Sequence, residues 1–214
     1  MPPDSRPIPR FVAEPPQEAL PYGRWAEALA ERFLAECRRI EGDGDELGEP
    51  GPVTWFPDRT YARRTYVPAT AATSTGYELF GYVSFTREHE GAEATAFEAV
   101  ADFTDETAEA NPDWRLDLSD QEIASWRGPQ GRRGEIALVW GVALEHKGLV
   151  VTAELGPTTT DQCALMDDRF TLVSLDAYTG DYLDVVLWGS DGKEIAAESL
   201  YAEDDQESPD SSAG

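Results

Sequence analysis

The chain is poor in the residues that most often carry metal-binding and redox chemistry. Its 214 residues include only two cysteines and two histidines. The cysteines, Cys37 and Cys163, are far apart and belong to no CxxC motif, which argues against a disulfide scaffold, a zinc site or a thioredoxin-like redox centre. The dinucleotide-binding, P-loop, zinc-protease and serine-hydrolase motifs are absent as well. The sequence therefore predicts no catalytic residue, no metal and no cofactor, and it favours a non-enzymatic protein.

Long hydrophobic runs are also missing. The longest apolar stretch, residues 136–144, contains a glycine and falls short of the roughly 20 residues that a transmembrane helix needs. No apolar run follows Arg6 and Arg10, so the N-terminal segment does not have the pattern of a signal peptide. These features predict a cytoplasmic protein that does not bind membranes.

Positive charge is scarce. The sequence has 17 Lys and Arg residues, only two of them Lys, against 42 Asp and Glu, and its formal net charge is -25. A chain this acidic is not expected to bind a nucleic-acid backbone directly. Residues 22–202 hold -19 of this charge, and a surface this negative favours a basic protein partner whose binding weakens as salt rises. A high-salt environment, a surface that mimics nucleic acid and plain solubility would each account for the acidity as well.

Proline and acid content divide the chain into three parts. Residues 1–21 contain seven prolines, a density that opposes helix formation and predicts a disordered arm. Residues 203–214 combine acids with Ser and Pro and predict a disordered acidic tail. Residues 22–202 are expected to form a single α+β domain, because they show neither an internal repeat nor a sign of a second domain.

One amphipathic helix is predicted at the start of this domain. From Gly23 onward apolar residues recur at spacings of three and four, while Arg and Glu fill the other face. The apolar positions are Trp25, Ala28, Leu29, Phe33, Leu34, Cys37 and Ile40. The helix is expected to end before residues 42–45, because glycine terminates helices.

The rest of the domain is predicted to consist mainly of antiparallel strands. Short turns such as Asp191–Gly192 separate apolar runs, as in β-hairpins. The predicted strands are 77–85, 136–145, 149–155, 170–178, 182–188 and 194–201. The predicted fold is α+β: a meandering antiparallel β-sheet with one long N-terminal amphipathic helix packed on it. A strongly curved or barrel-like sheet is the alternative.

Three segments give weaker patterns. Residues 92–110 fit either a strand or a helix, and spacings of three and four favour the helix. A capping-box pattern at Ser119 and Glu122 predicts a short helix over 120–126. Residues 158–162, rich in threonine, are predicted to form a loop.

Two groups of arginines stand out against the negative charge. One lies among aromatic residues, and the other surrounds a Gly-Pro-Gln-Gly turn. The groups are Arg59, Arg63 and Arg64, and Arg127, Arg132 and Arg133. Guanidinium groups bind carboxylate or phosphate through two parallel hydrogen bonds and stack on aromatic rings. Both groups are therefore predicted to bind an anion or a partner, unless they pair with the chain's own carboxylates.

The main functional hypothesis is a non-enzymatic interaction or regulatory protein that binds a basic protein. The alternative is a small-ligand-binding protein with an aromatic-lined pocket in a curved sheet, where an arginine holds an anionic group. The aromatic candidates for a pocket or interface are Trp55, Tyr61, Tyr66, Tyr82 and Trp126. A third hypothesis, an enzyme that uses carboxylates alone, requires two carboxylates in one pocket.

Overall fold

The computed structural model describes residues 20–40, 46–89, 91–128, 131–178 and 180–200. Within this part, one helix and twelve strands form three antiparallel sheets, in agreement with the predicted α+β class. Residues 1–19 of the predicted arm and the whole predicted tail lie outside the described residues. The extent of the single domain, 22–202, stays a prediction.

The helix comes first along the chain, and the strands follow it. Helix α1 spans Gly23–Cys37. The strands are β1 (Thr54–Trp55), β2 (Arg59–Tyr61), β3 (Arg64–Ala72), β4 (Glu78–Thr86), β5 (Thr95–Thr104), β6 (Leu116–Arg127), β7 (Arg133–Ala143), β8 (Gly148–Leu155), β9 (Thr158–Ala164), β10 (Arg169–Asp176), β11 (Leu183–Gly189) and β12 (Glu194–Ser199).

The strands are distributed over a first, a middle and a third sheet. The first sheet has the order β1-β3-β4-β5, with β2 paired to β3. The middle sheet has the order β10-β7-β6, and the third has the order β12-β11-β8-β9. Only part of the expected meander is present, because the connections from β7 to β8 and from β10 to β11 join strands of different sheets. The described pairings leave every sheet open, so the barrel-like alternative is wrong, while the curvature of the sheets stays a prediction.

The middle sheet is buried on both faces. Along β7, Leu138 and Trp140 belong to the cluster between the first and middle sheets. Ala137 and Val139 belong to the cluster between the middle and third sheets, because successive side chains of a strand point to opposite faces. Burial on both faces explains why the sequence of β7 is apolar almost throughout. The fold is therefore a stack of α1, first sheet, middle sheet and third sheet.

Helix α1 packs on the outer face of the first sheet. Its buried residues are Leu29, Phe33 and Cys37, which share a cluster with Val83 and Phe85 of β4. Steps of four residues place all three on one helix face, as the sequence predicts. Among the described residues, no helix has the length and apolar character that crossing a membrane requires.

The weak preference for a helix within residues 92–110 is wrong. Residues Thr95–Thr104 form β5, which pairs with β4 at the edge of the first sheet. Phe97 and Phe103 pack against the cluster beneath α1, whereas Val100 packs against the cluster on the opposite face. Packing on both faces at a period of two outweighs the accidental helical spacing.

Two further local predictions are also wrong. Residues 120–126 lie within β6, which pairs with β7 along its whole length. Residues 158–162 lie within β9, which returns from β8 through a two-residue turn and pairs with it. In both segments the neighbouring strand supplies hydrogen-bond partners for the backbone, and this long-range pairing overrides the local capping and loop preferences.

Candidate functional site

The first arginine group is divided among three environments, and its first member is a buried structural residue. The Arg59 side chain is 2% exposed. Its Nη2 atom donates to both carboxylate oxygens of Asp161 at 2.7 Å and to the carbonyl of Gln162 at 3.1 Å. Its Nε atom donates to the carbonyl of Thr171 at 3.0 Å. One guanidinium on β2 thus holds β9 of the third sheet and β10 of the middle sheet.

The Asp161 carboxylate, the partner of Arg59, is also held by hydrogen bonds within the fold. Asp161 accepts a hydrogen bond from the backbone N–H of Val173 at 2.9 Å in addition to those from Arg59. Burial raises the pKa of the Asp161 carboxyl, and the Arg59 guanidinium opposes that shift. The pair therefore joins all three sheets at one point, and its charged atoms are already satisfied from within the chain.

The other two members of this group lie at the surface end of the β2–β3 hairpin. Arg64 donates to the hydroxyl of Ser84 at 2.9 Å and to the carboxylate of Glu98 at 2.8 Å, which links β3, β4 and β5. Arg63 lies in the exposed turn with a φ of 69° and forms no ion pair within the described residues. The structure therefore does not bring Arg59, Arg63 and Arg64 together into one site.

The aromatic candidates of the first sheet lie in the core. Trp55 is 8% exposed and belongs to the cluster beneath α1. Tyr66 and Tyr82 pack edge to face, with ring centroids 5.3 Å apart, in the cluster between the first and middle sheets. Half-buried Tyr61 packs against the same cluster. Burial raises the pKa of both the Tyr66 and the Tyr82 hydroxyl. These rings fill space between the sheets.

The second arginine group lies at the turn end of the β6–β7 hairpin. Arg127 and Arg133 are directly opposite each other in the strand register, and Ser125 and Glu135 form the next opposed pair on the same face. A cleft of about 240 Å³ is open here. It is lined by Glu122, Ser125, Trp126, Arg127, Arg133, Gly134, Glu135 and Ala177. We call this feature the hairpin cleft.

The position of the hairpin cleft follows from the lengths of the sheets. Ala137, two residues beyond Glu135 on the same face of β7, is covered by the third sheet and 4% exposed. Glu135 and Arg133 are exposed, because the third sheet does not reach this end of the hairpin. The hairpin cleft therefore lies on the exposed end of the β6–β7 face that the third sheet covers farther along the strands.

The charges in the hairpin cleft are not paired with each other. Within the described residues, neither Arg127 nor Arg133 forms an ion pair, although two glutamates line the same cleft. Glu122 accepts a hydrogen bond from Ser125 Oγ at 2.9 Å. Burial, together with the nearby Glu122 and Asp176 carboxylates, raises the pKa of Glu135. Since like charges directly opposite on paired strands are destabilising, the two arginines are not explained by stability of the hairpin.

One wall of the cleft is held rigidly. The Trp126 ring packs edge to face against Tyr178, with centroids 5.4 Å apart. A Cβ at Gly128 would overlap the Trp126 ring, so only glycine allows the chain to turn this closely around it. Arg132 donates to the Tyr178 hydroxyl at 3.3 Å, which places it behind the ring rather than in the cleft. Two of the three predicted arginines, together with Trp126, therefore line one site.

Sequence reasoning did not select Glu122, Ser125 and Glu135 for this site. Once these residues are placed in a strand, Ser125 and Arg127 share a face, as do Arg133 and Glu135. The alternation on both sides of the turn is the signal that would have identified Ser125 and Glu135. Glu122 reaches the same face only through the register shift between Glu122 and Ala124, which the sequence does not signal.

The described residues provide no second candidate site for metal or thiol chemistry. The structure contains no group of three or more His, Cys, Asp or Glu side chains placed to hold a metal, as far as the residues that it describes are concerned. Burial raises the pKa of both the Cys37 and the Cys163 thiol to about 11. Both thiols are therefore protonated at neutral pH, the unreactive form.

A second surface feature is a run of negative charge on and beyond β5. Residues 93–113 contain no Lys or Arg. Their seven acidic residues are all exposed: Glu93, Glu98, Asp102, Asp105, Glu106, Glu109 and Asp113. Only Glu98 has an ion-pair partner among the described residues, namely Arg64. Because β5 is the outermost strand of the first sheet, we call residues 93–113 the acidic edge.

Comparison with known proteins gives no matching family, no similar curated protein and no similar solved structure. The functional argument therefore depends on the geometry of these two surface features.

Proposed function

We propose that the protein is a non-enzymatic, cytoplasmic interaction protein that binds a basic protein partner through the acidic edge. The observation that carries this proposal is the excess of negative charge at the edge: seven exposed carboxylates with no basic residue in the same stretch of chain. Within the described residues, the cationic contacts to β5 come from Arg32 and Arg64. Complementary charge steers a basic partner to such a surface and selects against acidic ones.

The arrangement of the edge supports binding to an extended basic segment. Among the described strands, β5 pairs with β4 on one side and with no strand on the other, so backbone N–H and C=O groups along that outer side can pair with a further strand. Glu98 and Asp102 point to the same face of β5. A Lys- or Arg-rich strand added here would combine main-chain hydrogen bonds with opposite charge.

The same charges have a purely structural explanation that makes a different prediction. Charged residues on an edge strand prevent the edge from pairing with other sheets. If that were their only role, neutralising them would cause self-association and leave partner binding intact. Partner binding and oligomeric state therefore have to be measured together.

The proposal is tested with two variants of equal net charge. The edge variant carries Glu98→Gln, Asp102→Asn, Asp105→Asn and Glu106→Gln, which include the two acids on one face of β5. The control variant carries Glu27→Gln, Glu31→Gln, Glu194→Gln and Glu198→Gln, four exposed acids elsewhere. The full chain and both variants are used for affinity purification from the native host at low salt, and the recovered partner is then titrated by calorimetry.

The edge variant is expected to bind the partner at least about tenfold more weakly, a change of ~1.4 kcal/mol. The control variant is expected to bind like the unaltered chain, and binding of both should fall as salt rises. Equal losses in the two variants would show that only net charge matters, and they would contradict the proposal. Failure of the unaltered chain to recover any basic protein at low salt would contradict it as well.

The alternative function, binding of a small ligand in an aromatic pocket of the first sheet, has less support. Tyr66 and Tyr82 are at most 8% exposed and pack against each other. Trp126 lines an open cleft, but its ring packs against Tyr178, and most of the other side chains that line this cleft are charged or polar.

A further inference from the structure

We infer that the hairpin cleft binds a small zwitterion, a molecule that carries one carboxylate and one ammonium group, such as an amino acid. This inference is independent of the acidic edge, which belongs to the first sheet. It depends on the guanidinium groups of Arg127 and Arg133, which have no ion-pair partner among the described residues, on the two carboxylates beside them, and on the size of the cleft.

The arginines provide the carboxylate-binding half of the site. Directly opposite residues of antiparallel strands have Cβ atoms about 4.5–5.5 Å apart, so the side chains of Arg127 and Arg133 can converge on one anion. A carboxylate between them accepts charge-assisted hydrogen bonds from both guanidinium groups. It also relieves the repulsion between two like charges that the register places opposite each other.

The glutamates provide the ammonium-binding half. Glu135 follows Arg133 by two residues on the same face of β7, a distance of about 6.8 Å along the strand. Glu122 lines the same cleft from β6. The cation-binding and anion-binding groups are therefore separated by roughly the length of a small molecule that carries both charges. Burial, followed by the nearby Glu122 and Asp176 carboxylates, raises the pKa of Glu135, and an ammonium group bound here would offset the repulsion among these carboxylates.

The size of the hairpin cleft argues against a drug-sized ligand, and its charges argue against a phosphate group. A cleft of about 240 Å³ is below the range of about 300–1,000 Å³ that is typical for drug-sized ligands. A phosphate group brings two negative charges toward Glu122 and Glu135, which repel it. A zwitterion matches two positive and two negative side chains without excess charge, and the edge of Trp126 provides an apolar contact for its carbon atoms.

The test uses calorimetry and thermal-shift measurements on the full chain. The probes are the twenty standard amino acids, γ-aminobutyrate, acetate, methylammonium and inorganic phosphate at constant ionic strength. At least one zwitterion is expected to bind more tightly than acetate, methylammonium and phosphate. Absence of zwitterion binding, or tighter binding of phosphate, would overturn the inference.

Three variants separate the two halves of the site. Arg127→Gln and Arg133→Gln should each weaken binding of the zwitterion and of acetate by about tenfold or more. Glu135→Gln should weaken binding of the zwitterion and leave acetate binding unchanged or slightly stronger. Arg63→Gln, an exposed arginine in a different hairpin turn, is the matched control and should change neither. All four positions are exposed, and circular dichroism confirms that each variant is folded. Equal effects of Glu135→Gln on both probes would refute the ammonium half.

Discussion

Arg59, from the first arginine group, and Arg127 and Arg133, from the second, lie in opposite environments. Arg59 is 2% exposed and its guanidinium lies 2.7 Å from the Asp161 carboxylate. Arg127 and Arg133 are exposed and form no ion pair in the described part of the chain. Arg59 stabilises the junction of three sheets, whereas Arg127 and Arg133 line an open cleft. The comparison teaches that burial and strand register, rather than charge alone, distinguish a structural arginine from one that is a candidate for binding.

Arg59→Met should have the largest effect on stability. The substitution leaves the Asp161 carboxylate buried without its cation, and breaking one partner of a buried ion pair typically costs about 3–5 kcal/mol. The loss should appear as a lower free energy of unfolding in urea. Arg63→Met, at the exposed turn of the same hairpin, should change it by less than ~0.5 kcal/mol.

A double variant sharpens this result. Arg59→Met combined with Asp161→Leu removes both charges, and replacing a buried pair by apolar residues is often nearly neutral. The double variant should therefore be more stable than Arg59→Met alone. If Arg59→Met loses less than ~1 kcal/mol, or if the second substitution only adds to the loss, the pair does not have the role assigned to it.

The elements that could be predicted are those whose signal is local. Apolar spacing located α1, and short turns located the strands from β7 onward except β9. Residues 95–104 could not be assigned in this way, because β5 has apolar residues on both faces and its identity depends on pairing with β4. The division into three sheets depends on pairings between distant strands, such as β7 with β10, which no local pattern encodes.

The site could be predicted in part for the same reason. Arg127, Arg133 and Trp126 were identified because they are unusual residues near a glycine turn. Glu135 was not, since acids are common in this chain and its proximity to Arg133 on one face depends on the strand assignment. The pairing of Arg59 with Asp161 spans 102 residues and therefore has no signature in the local sequence.

Glu78→Gln extends the comparison to a half-buried acid that has no ion-pair partner among the described residues. Glu78 is half-buried on β4, and burial followed by the nearby Asp117 carboxylate raises its pKa to about 7, with a hydrogen bond from Thr70 opposing the shift. The folded state therefore holds a proton that the unfolded state releases above a pH of about 4.5. Stability should fall by about 1–3 kcal/mol as pH rises from about 4.5 to above 7.

In the Glu78→Gln variant this decline should be much smaller, because the amide does not titrate. Glu93→Gln, at an exposed acid of the acidic edge, is the control and should retain the decline. Urea unfolding at several pH values measures both. A stability that rises with pH over this interval, or parallel curves for the unaltered chain and Glu78→Gln, would contradict the argument.

Arg64→Gln should have a smaller effect on stability than the substitutions at Arg59 and Glu78. Arg64 is 19% exposed, and its partner Glu98 is 68% exposed, so solvent screens their attraction. Ion pairs of this kind contribute about 0.2–1 kcal/mol to stability. Because Arg64 also donates a hydrogen bond to Ser84, we expect its contribution to lie near the upper end of this range. The loss in the free energy of unfolding, measured in urea, should become smaller at high salt. A loss comparable to that of Arg59→Met would mean that exposure does not separate the two roles.

Arg127→Gln should have the smallest effect on stability and the opposite sign. Removing one of two directly opposed positive charges relieves repulsion between β6 and β7, and favourable or unfavourable charge pairs across strands amount to about 0.2–1 kcal/mol. The free energy of unfolding should therefore stay constant or rise by a few tenths of a kcal/mol, and Arg133→Gln should behave alike. The double variant should add little to either single one, since the repulsion is already gone. A loss above ~1 kcal/mol would show that Arg127 stabilises the hairpin. Arg127 would then have a structural role, as Arg59 does, and it would no longer support the inference that the hairpin cleft binds a zwitterion.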